Sequence, residues 1–289
     1  MSRGTVGLIG AGAVGPVITK TLVAAGWTPG TVASRTRASA ESAVAYAGGT
    51  AGDANADAAR GADLLVIAVP DRAIETVAAE VAPAIRPGAL AIHLSGAHSS
   101  DILAPLRVAG ADTGSLHPLQ SFADRDVAYR CLSASFHFFE GSDPERVRDV
   151  AADLGGRPVP IRGSGKVLYH AGAAAACNLA VAMVDVGVHL MGAAGIEQDD
   201  ALAALLPLLA GTLGNLETVG LPAALTGPVA RGDVETVARH VNEMRRATPD
   251  LVDAYAAASL HAVEIALAKG TIDEEAAEGL RRALALPRP

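Results

Sequence analysis

An apolar run from Val6 to Ile9 leads directly into Gly10-Ala11-Gly12-Ala13-Val14-Gly15, and helix-type spacing begins at once. That order constrains the fold more than any other stretch. Gly10 permits a tight turn, Gly12 lets backbone approach a pyrophosphate, and Gly15 lets a helix pack close against its strand. The helix start then offers unpaired N–H groups and a partial positive charge to phosphates. The expectation is a βαβ unit with Gly10, Ala11, Gly12, Ala13, Val14 and Gly15 at a dinucleotide.

The rest of the first half repeats the strand–helix alternation. Strand patterns fall at 6–9, 31–34, 63–69 and 89–94, with two more at 133–139 and 158–161. Helical patterns occupy 14–25, 37–46 and 73–82, and 55–60 adds a turn. Alternation of this kind implies an α/β fold, a parallel sheet with helices on both faces. At Gly163 the character changes. Beyond it the pattern predicts helices alone, near 166–194, 199–219, 233–247, 250–269 and 273–284, punctuated by Gly195, Pro222, Pro228, Pro249 and Gly270. The expected organisation is a Rossmann-type domain over 1–162 and an all-helical domain over 163–289.

Composition narrows the function classes. Half of the 289 residues are hydrophobic but only 3% are aromatic, so the cores are built from Ala, Val and Leu. The net charge of −8 and the absence of a basic stripe argue against nucleic acid. Cys131 and Cys177 are far apart, outside any metal-ligand spacing, and read as small buried hydrophobes in a reducing, cytoplasmic setting. The apolar segment 171–195 is long enough to span a membrane, yet it carries Asn178, Asp185 and His189, which points to a buried helix and no membrane.

The choice of dinucleotide follows from the end of the second strand. An enzyme preferring the unphosphorylated cofactor places a carboxylate there for the ribose 2′-hydroxyl. Here the sequence reads Ser34-Arg35-Thr36, two hydroxyls around a planar guanidinium that suits a phosphate. NADP(H) is therefore the expected cofactor.

In an open parallel sheet, ligands bind at the carboxyl ends of the strands. Ala68-Val69-Pro70-Asp71 should pass beside the cofactor ribose and nicotinamide, with Val69 and Pro70 at the cofactor. The turn after His93, Leu94-Ser95-Gly96-Ala97, offers a hydroxyl and backbone N–H groups to a substrate carboxylate. The segment 114–121 concentrates polar groups, among them His117 and Gln120. His117 is either a site residue or a packed loop histidine, His93 could face either side of its strand, and His137 reads as structural.

The helical half opens with the leading catalytic candidates. Lys166, His170 and Asn178 fall at i, i+4 and i+12, along one drifting stripe of an Ala/Leu helix. Reduction of a carbonyl needs a proton donor or an electrostatic stabiliser for the developing alkoxide, and lysine or histidine serves in either role. The alternative is an exposed first-turn lysine and a satisfied core histidine. Arg231, in Leu225-Thr226-Gly227-Pro228-Val229-Ala230-Arg231-Gly232-Asp233, suits a substrate anion or forms a local cap and pair with Asp233.

With these segments together, GLIGAGAVG, HLSGA, GSLHPLQSF, KVLYHAGAAAACN and LTGPVARGD in that order, the chain resembles the superfamily joining a Rossmann domain to a 6-phosphogluconate-dehydrogenase-like helical domain. Within it, the likeness is nearest to a bacterial group whose helical domain has no known function. Some relatives in that group resemble ketopantoate reductases. The resemblance implies an NADP-dependent oxidoreductase acting on a small 2-oxo acid, with ketopantoate the leading substrate, and a homodimer formed through the helical domain. It also implies Lys166 as proton donor, with His170 where other members carry an asparagine, and Ser95 and Gly96 at the substrate carboxylate. Three rivals remain: an imine or 2-hydroxy-acid oxidoreductase of the same layout, a non-catalytic NADP(H)-binding protein, and a helical interaction scaffold with a vestigial nucleotide domain.

Overall fold

The structure, a computed structural model, describes residues 3–285. It divides into two compact units, one ending at Ala173 and the other beginning at Ala174. The first unit therefore keeps the start of the helix after Gly163, which the sequence division at 162/163 had given to the helical half.

An eight-stranded sheet with order β3-β2-β1-β4-β5-β6-β7-β8 forms the first unit. Its strands are β1 (Thr5–Ile9), β2 (Thr28–Ala33), β3 (Thr50–Ala51), β4 (Leu64–Ile67), β5 (Leu90–His93), β6 (Asp112–Pro118), β7 (Phe136–Gly141) and β8 (Arg157–Pro160). The helices on it are α1 (Val14–Ala24), α2 (Arg37–Ala47), α3 (Asn55–Ala59), α4 (Ile74–Val81), α5 (Ala104–Val108), α6 (Arg125–Cys131) and α7 (Pro144–Asp153). Two buried clusters flank the sheet, one around Leu8, Ile18, Leu22 and Val66, the other around Ile9, Leu65, Ile67 and Ile74. Leu64–Ile67 is buried at every position, as an apolar strand covered on both faces should be.

Two features depart from the parallel sheet that the alternation implied. β6 was not foreseen: its DTGSLHP carries glycine, proline and polar groups, and burial of both faces removes any visible alternation. β7 runs antiparallel to β6, with Ser115 opposite Glu140 and His117 opposite Phe138. All the other pairings are parallel.

Helices α8 (Lys166–Ala176), α9 (Asn178–Ala193), α10 (Gln198–Val219), α11 (Gly227–Ala230), α12 (Val234–Ala247), α13 (Val252–Lys269) and α14 (Glu274–Leu284) follow. The single helix expected over 166–194 is interrupted at Cys177, which has φ −115° and ψ −61°. The second unit's core gathers Val237, Val241, Val263, Leu280 and Leu284 from α12, α13 and α14. Asp233 and Asp273 cap α12 and α14 by accepting from the N–H groups of Thr236 and Ala276.

The expectation of a buried helix over 171–195 is corrected: α9 buries only Val186 and Val188, and Val181 is 71% exposed. The neighbouring α10 buries only Ala201 and leaves Leu208 67% exposed. Gly163–Ala193, Gln198–Val219 and Pro249–Lys269 are long and apolar enough to cross a membrane. The reading of both cysteines as buried is likewise corrected. Cys131 ends α6 and Cys177 sits in the break between α8 and α9, and both are exposed.

Candidate functional site

The loop between β1 and α1 has the shape that its glycines prescribe. Gly10 takes φ +104°, and a Cβ there would come within 2.4 Å of the Ala68 carbonyl oxygen. A Cβ on Gly15 would lie 2.4 Å from the Gly10 carbonyl oxygen, so α1 packs against the strand only because that position is bare. Nothing lies within 4 Å of a Cβ built on Gly12. The first turn of α1 has no side-chain cap and no acidic residue, which leaves its N–H groups to a ligand.

Gly10, Ala11, Gly12, Ser34, Arg35, Thr36, Val69 and Pro70 line one cavity of about 610 Å³. Among the described residues, its wall holds a single cation, Arg35, and no carboxylate. Arg35 is exposed and makes no hydrogen bond or ion pair with any described residue, whereas Arg37, two residues on, is engaged by Glu41 and Asp53. Thr36 Oγ1 caps α2, accepting from Ser39 N–H at 3.2 Å, so its hydroxyl serves the helix first. Ala13 and Val14 open α1 without lining the cavity. These residues fit a dinucleotide with a 2′-phosphate: open backbone for the pyrophosphate and an uncommitted guanidinium for the extra charge.

Sequence reasoning missed Arg125. From the start of α6 its Nη2 donates to the carbonyl oxygens of Ala11 (3.1 Å) and Gly12 (2.9 Å), pinning the glycine loop from more than a hundred residues away. No local signal marks such a contact.

A second constellation sits on β6. Ser115 and His117, two residues apart on that strand, meet Lys166 and Tyr169, three apart on α8. Lys166 Nζ donates to Ser115 Oγ at 2.5 Å, and the lysine is completely buried. Burial pushes its amine down to about 8, while Glu140 and Asp71 oppose the fall. His117 Nδ1 lies 2.7 Å from Tyr169 Oη, and the tyrosine ring rests against Phe138, the cross-strand partner of His117, at a centroid distance of 4.5 Å. Burial, then the Lys166 charge, then His170 bring His117 down to about 4, so it is a neutral imidazole at neutral pH. Burial raises the Tyr169 hydroxyl above its ordinary value.

His170 completes the group. Its ring stands 5.9 Å from that of His117, and a Cβ on Gly96 would come 2.5 Å from His170 Cδ2 and 3.0 Å from His117 Nε2. The two histidines thus close over Gly96 because it has no side chain. Ser95 serves its own turn: Oγ donates to Asp71 Oδ2 at 2.9 Å and accepts from the N–H groups of Ala97 and His98. His93 is buried, with Nδ1 accepting from Ser95 N–H and Nε2 donating to the Ser99 carbonyl. Tyr169 is a further residue that sequence reasoning did not select. Asp71 follows Pro70 of the cavity wall and ties it to the Ser95 turn.

Residues 1–118 match the model of a Rossmann-like domain, and residues 136–262 match a domain of unknown function, DUF2520. The chain is a Rossmann-like domain joined to a DUF2520 domain. No curated protein sequence matches it. Among solved structures it resembles protein TM1727 from Thermotoga maritima, with 24% identity and TM-score 0.72, covering 92% of this chain and 99% of that one. It also resembles BF3122 from Bacteroides fragilis, provisionally assigned as an NADP oxidoreductase, with 21% identity, TM-score 0.77 and coverages of 90% and 98%. A third likeness is to the reductive aminase from Aspergillus terreus in complex with NADPH and ethyl-5-oxohexanoate, with 16% identity, TM-score 0.58 and coverages of 98% and 93%. At these identities the likeness is one of fold.

The DUF2520 match crosses the structural division, since its β7, β8 and the start of α8 belong to the first compact unit. Ser115 and His117 come from the Rossmann-like segment, Lys166, Tyr169 and His170 from the DUF2520 segment, and the contacts between them are internal to that unit. Lys166, expected to face a carbonyl, has its amine buried on Ser115. The Ser95 hydroxyl, expected at a carboxylate, is engaged by its own turn and Asp71. Gln120 lies apart, with Oε1 accepting from Ser135 Oγ. Asn178 and Arg231 belong to the second unit, both exposed; Asn178 opens α9 and Arg231 follows α11. His137 is buried, its ring nitrogens facing the carbonyls of Ala151 and Leu132, which is a structural setting.

Proposed function

We propose that this protein is an NADP(H)-dependent oxidoreductase acting on the C=O group of a small oxo compound. One observation carries the reading: the glycine-loop cavity ends at Arg35, unpaired among the described residues, and has no carboxylate in its wall. The Gly10–Gly15 loop and the start of α1 would hold the pyrophosphate, and Arg35, with Ser34, the 2′-phosphate. The fold likeness to BF3122 and to an NADPH-bound reductive aminase supports the same reading.

A reduced nicotinamide, when bound, supplies a hydride. The chain's own groups must then steady the carbonyl oxygen and return one proton to it. His117, neutral and held by Tyr169, polarises the oxygen by hydrogen bonding. His170, exposed beside it, donates the proton from its protonated form and recovers it from solvent. Lys166 adds its buried charge to the larger effect of burial in keeping His117 neutral.

A 2-oxo acid is the substrate class we assign, with ketopantoate the first to test and cyclic imines the second. NADPH consumption should be screened across both panels with wild type and His117→Gln. Turnover of at least one carbonyl substrate is expected, lost in His117→Gln while NADPH binding survives. Tight NADPH binding with no turnover in either panel would favour a non-catalytic NADP(H)-binding protein.

We further propose that the apolar faces of α9 and α10 are covered by a second copy of the chain. Val181 on α9 and Leu206, Leu208 and Leu213 on α10 are all exposed, and exposed apolar side chains in such number mark an interaction surface.

A further inference from the structure

The hydroxyl of Tyr169 and Nδ1 of His117 are 2.7 Å apart, and neither atom has another hydrogen-bond partner among the described residues. A proton must lie between them, from one side or the other. A phenol is a strong donor and a weak acceptor, while the bare nitrogen of an imidazole is a strong acceptor. The short separation suits O–H···N, the stronger of the two arrangements. The tyrosine ring rests against Phe138, which the β6–β7 register sets opposite His117. With Nδ1 occupied as an acceptor, the one ring proton of His117 must sit on Nε2. Nε2 and Cε1 form the edge that approaches Gly96, the position where both histidines close over bare backbone.

We propose that Tyr169 is a positioning residue whose hydroxyl donates to His117 Nδ1 and so fixes the ring proton on Nε2, the atom facing Gly96. The role rests on the reductase reading, because it matters only if a substrate oxygen is to receive a hydrogen bond from Nε2–H. No covalent bond changes at Tyr169. With the opposite tautomer, a lone pair on Nε2 would repel the negative charge growing on that oxygen. The lysine and the tyrosine thus act on the same imidazole in different ways. Lys166 helps burial keep a second proton off the ring, and Tyr169 decides where the first one sits.

The test is ¹⁵N NMR of histidine-labelled full-length protein at neutral pH, with His117→Gln to assign the signal, alongside kinetics of Tyr169→Phe. The proposal expects a proton directly bonded to Nε2 of His117 in wild type, and an unprotonated Nδ1 whose shift moves in Tyr169→Phe. It also expects kcat to fall about tenfold or more, the effect of losing one catalytic-strength hydrogen bond, with KM within about twofold. A proton on Nδ1 in wild type overturns it. So does an Nδ1 shift and a kcat unchanged by Tyr169→Phe. If no substrate is ever turned over, the functional reading fails, and the NMR signal still decides whether Tyr169 sets the tautomer.

Discussion

Lys166 places its ammonium group 2.5 Å from the hydroxyl of Ser115, and no part of the lysine reaches solvent. A buried charge with a single neutral partner is costly to the fold, so its retention calls for a role outside stability. In the proposed reaction that role is the field it adds, second to burial, in lowering His117 to about 4. Lys166→Met keeps the volume and removes the charge. It should fold with an unchanged or higher Tm, while the His117 pKa rises from about 4 towards 6.5 and kcat falls. An NMR titration of His117 measures this; an unmoved pKa would contradict it.

Acid should destabilise the protein in a defined window. His93 is buried, its pKa lowered from 6.5 to about 4 chiefly by burial, with Lys166 adding to the fall and the Ser99 carbonyl opposing it. Between these two values the unfolded chain binds more protons than the folded one, so stability rises with pH there and is lost as pH drops from 6.5 through 4. His117 adds to the same slope. Urea unfolding at stepped pH should show this decline, and His93→Gln should flatten it. An equally steep decline in His93→Gln would place the cause elsewhere.

Arg125 holds the glycine loop by its backbone and touches no cofactor-selective position. Arg125→Met should therefore weaken NADPH and NADH together, by up to about 10- to 150-fold if the strength of its charge-assisted hydrogen bonds is lost. Isothermal titration with both cofactors reads this. A change confined to NADPH would mean that Arg125 contacts the 2′-phosphate instead.

Introducing a charge into the α9–α10 face should separate protomers. Light scattering of wild type should give a dimer, and the double variant Val181→Glu, Leu208→Glu a monomer. A monomeric wild type would contradict the assignment of that face to a second copy.

Much of this architecture was legible in the sequence where chemistry is local. Gly10, Gly12 and Gly15 announced the loop, because each glycine answers to a steric need a few residues away. The buried run 64–67 announced its strand by apolar density alone. What escaped was set by distant partners. β6 carries a glycine, a proline and polar residues because both its faces are covered and because Ser115 and His117 serve α8 rather than the core. Arg125 and Tyr169 have meaning only through Ala11, Gly12 and His117, which the fold brings to them. Spacing singled out Lys166 and His170, but only the fold shows the first sunk onto Ser115 and the second open above Gly96. The exposure of α9 was unreadable for a different reason: an apolar helix looks the same whether its own chain or another molecule covers it.

Gly96 tests the histidine pair without touching either ring's chemistry. Gly96→Ala must displace the His170 ring and press on that of His117, since its Cβ would lie 2.5 Å from His170 Cδ2 and 3.0 Å from His117 Nε2. His170 is exposed and can swing aside, whereas His117 is tethered by Tyr169. The variant should fold, bind NADPH normally and lose kcat. Wild-type kcat in Gly96→Ala would show that the two rings need not meet there.

The central claim is that the cavity between the glycine loop and Arg35 holds a phosphorylated dinucleotide. Isothermal titration of wild type and Arg35→Ala with NADPH and NADH tests it most directly. Charge-assisted hydrogen bonds to one guanidinium are worth roughly 1.5–3 kcal/mol, or about 10- to 150-fold in Kd. Wild type should prefer NADPH by a factor of this order, and Arg35→Ala should lose the preference by weakening NADPH while leaving NADH unchanged. Equal affinity for the two cofactors in wild type, unaltered in Arg35→Ala, would contradict it.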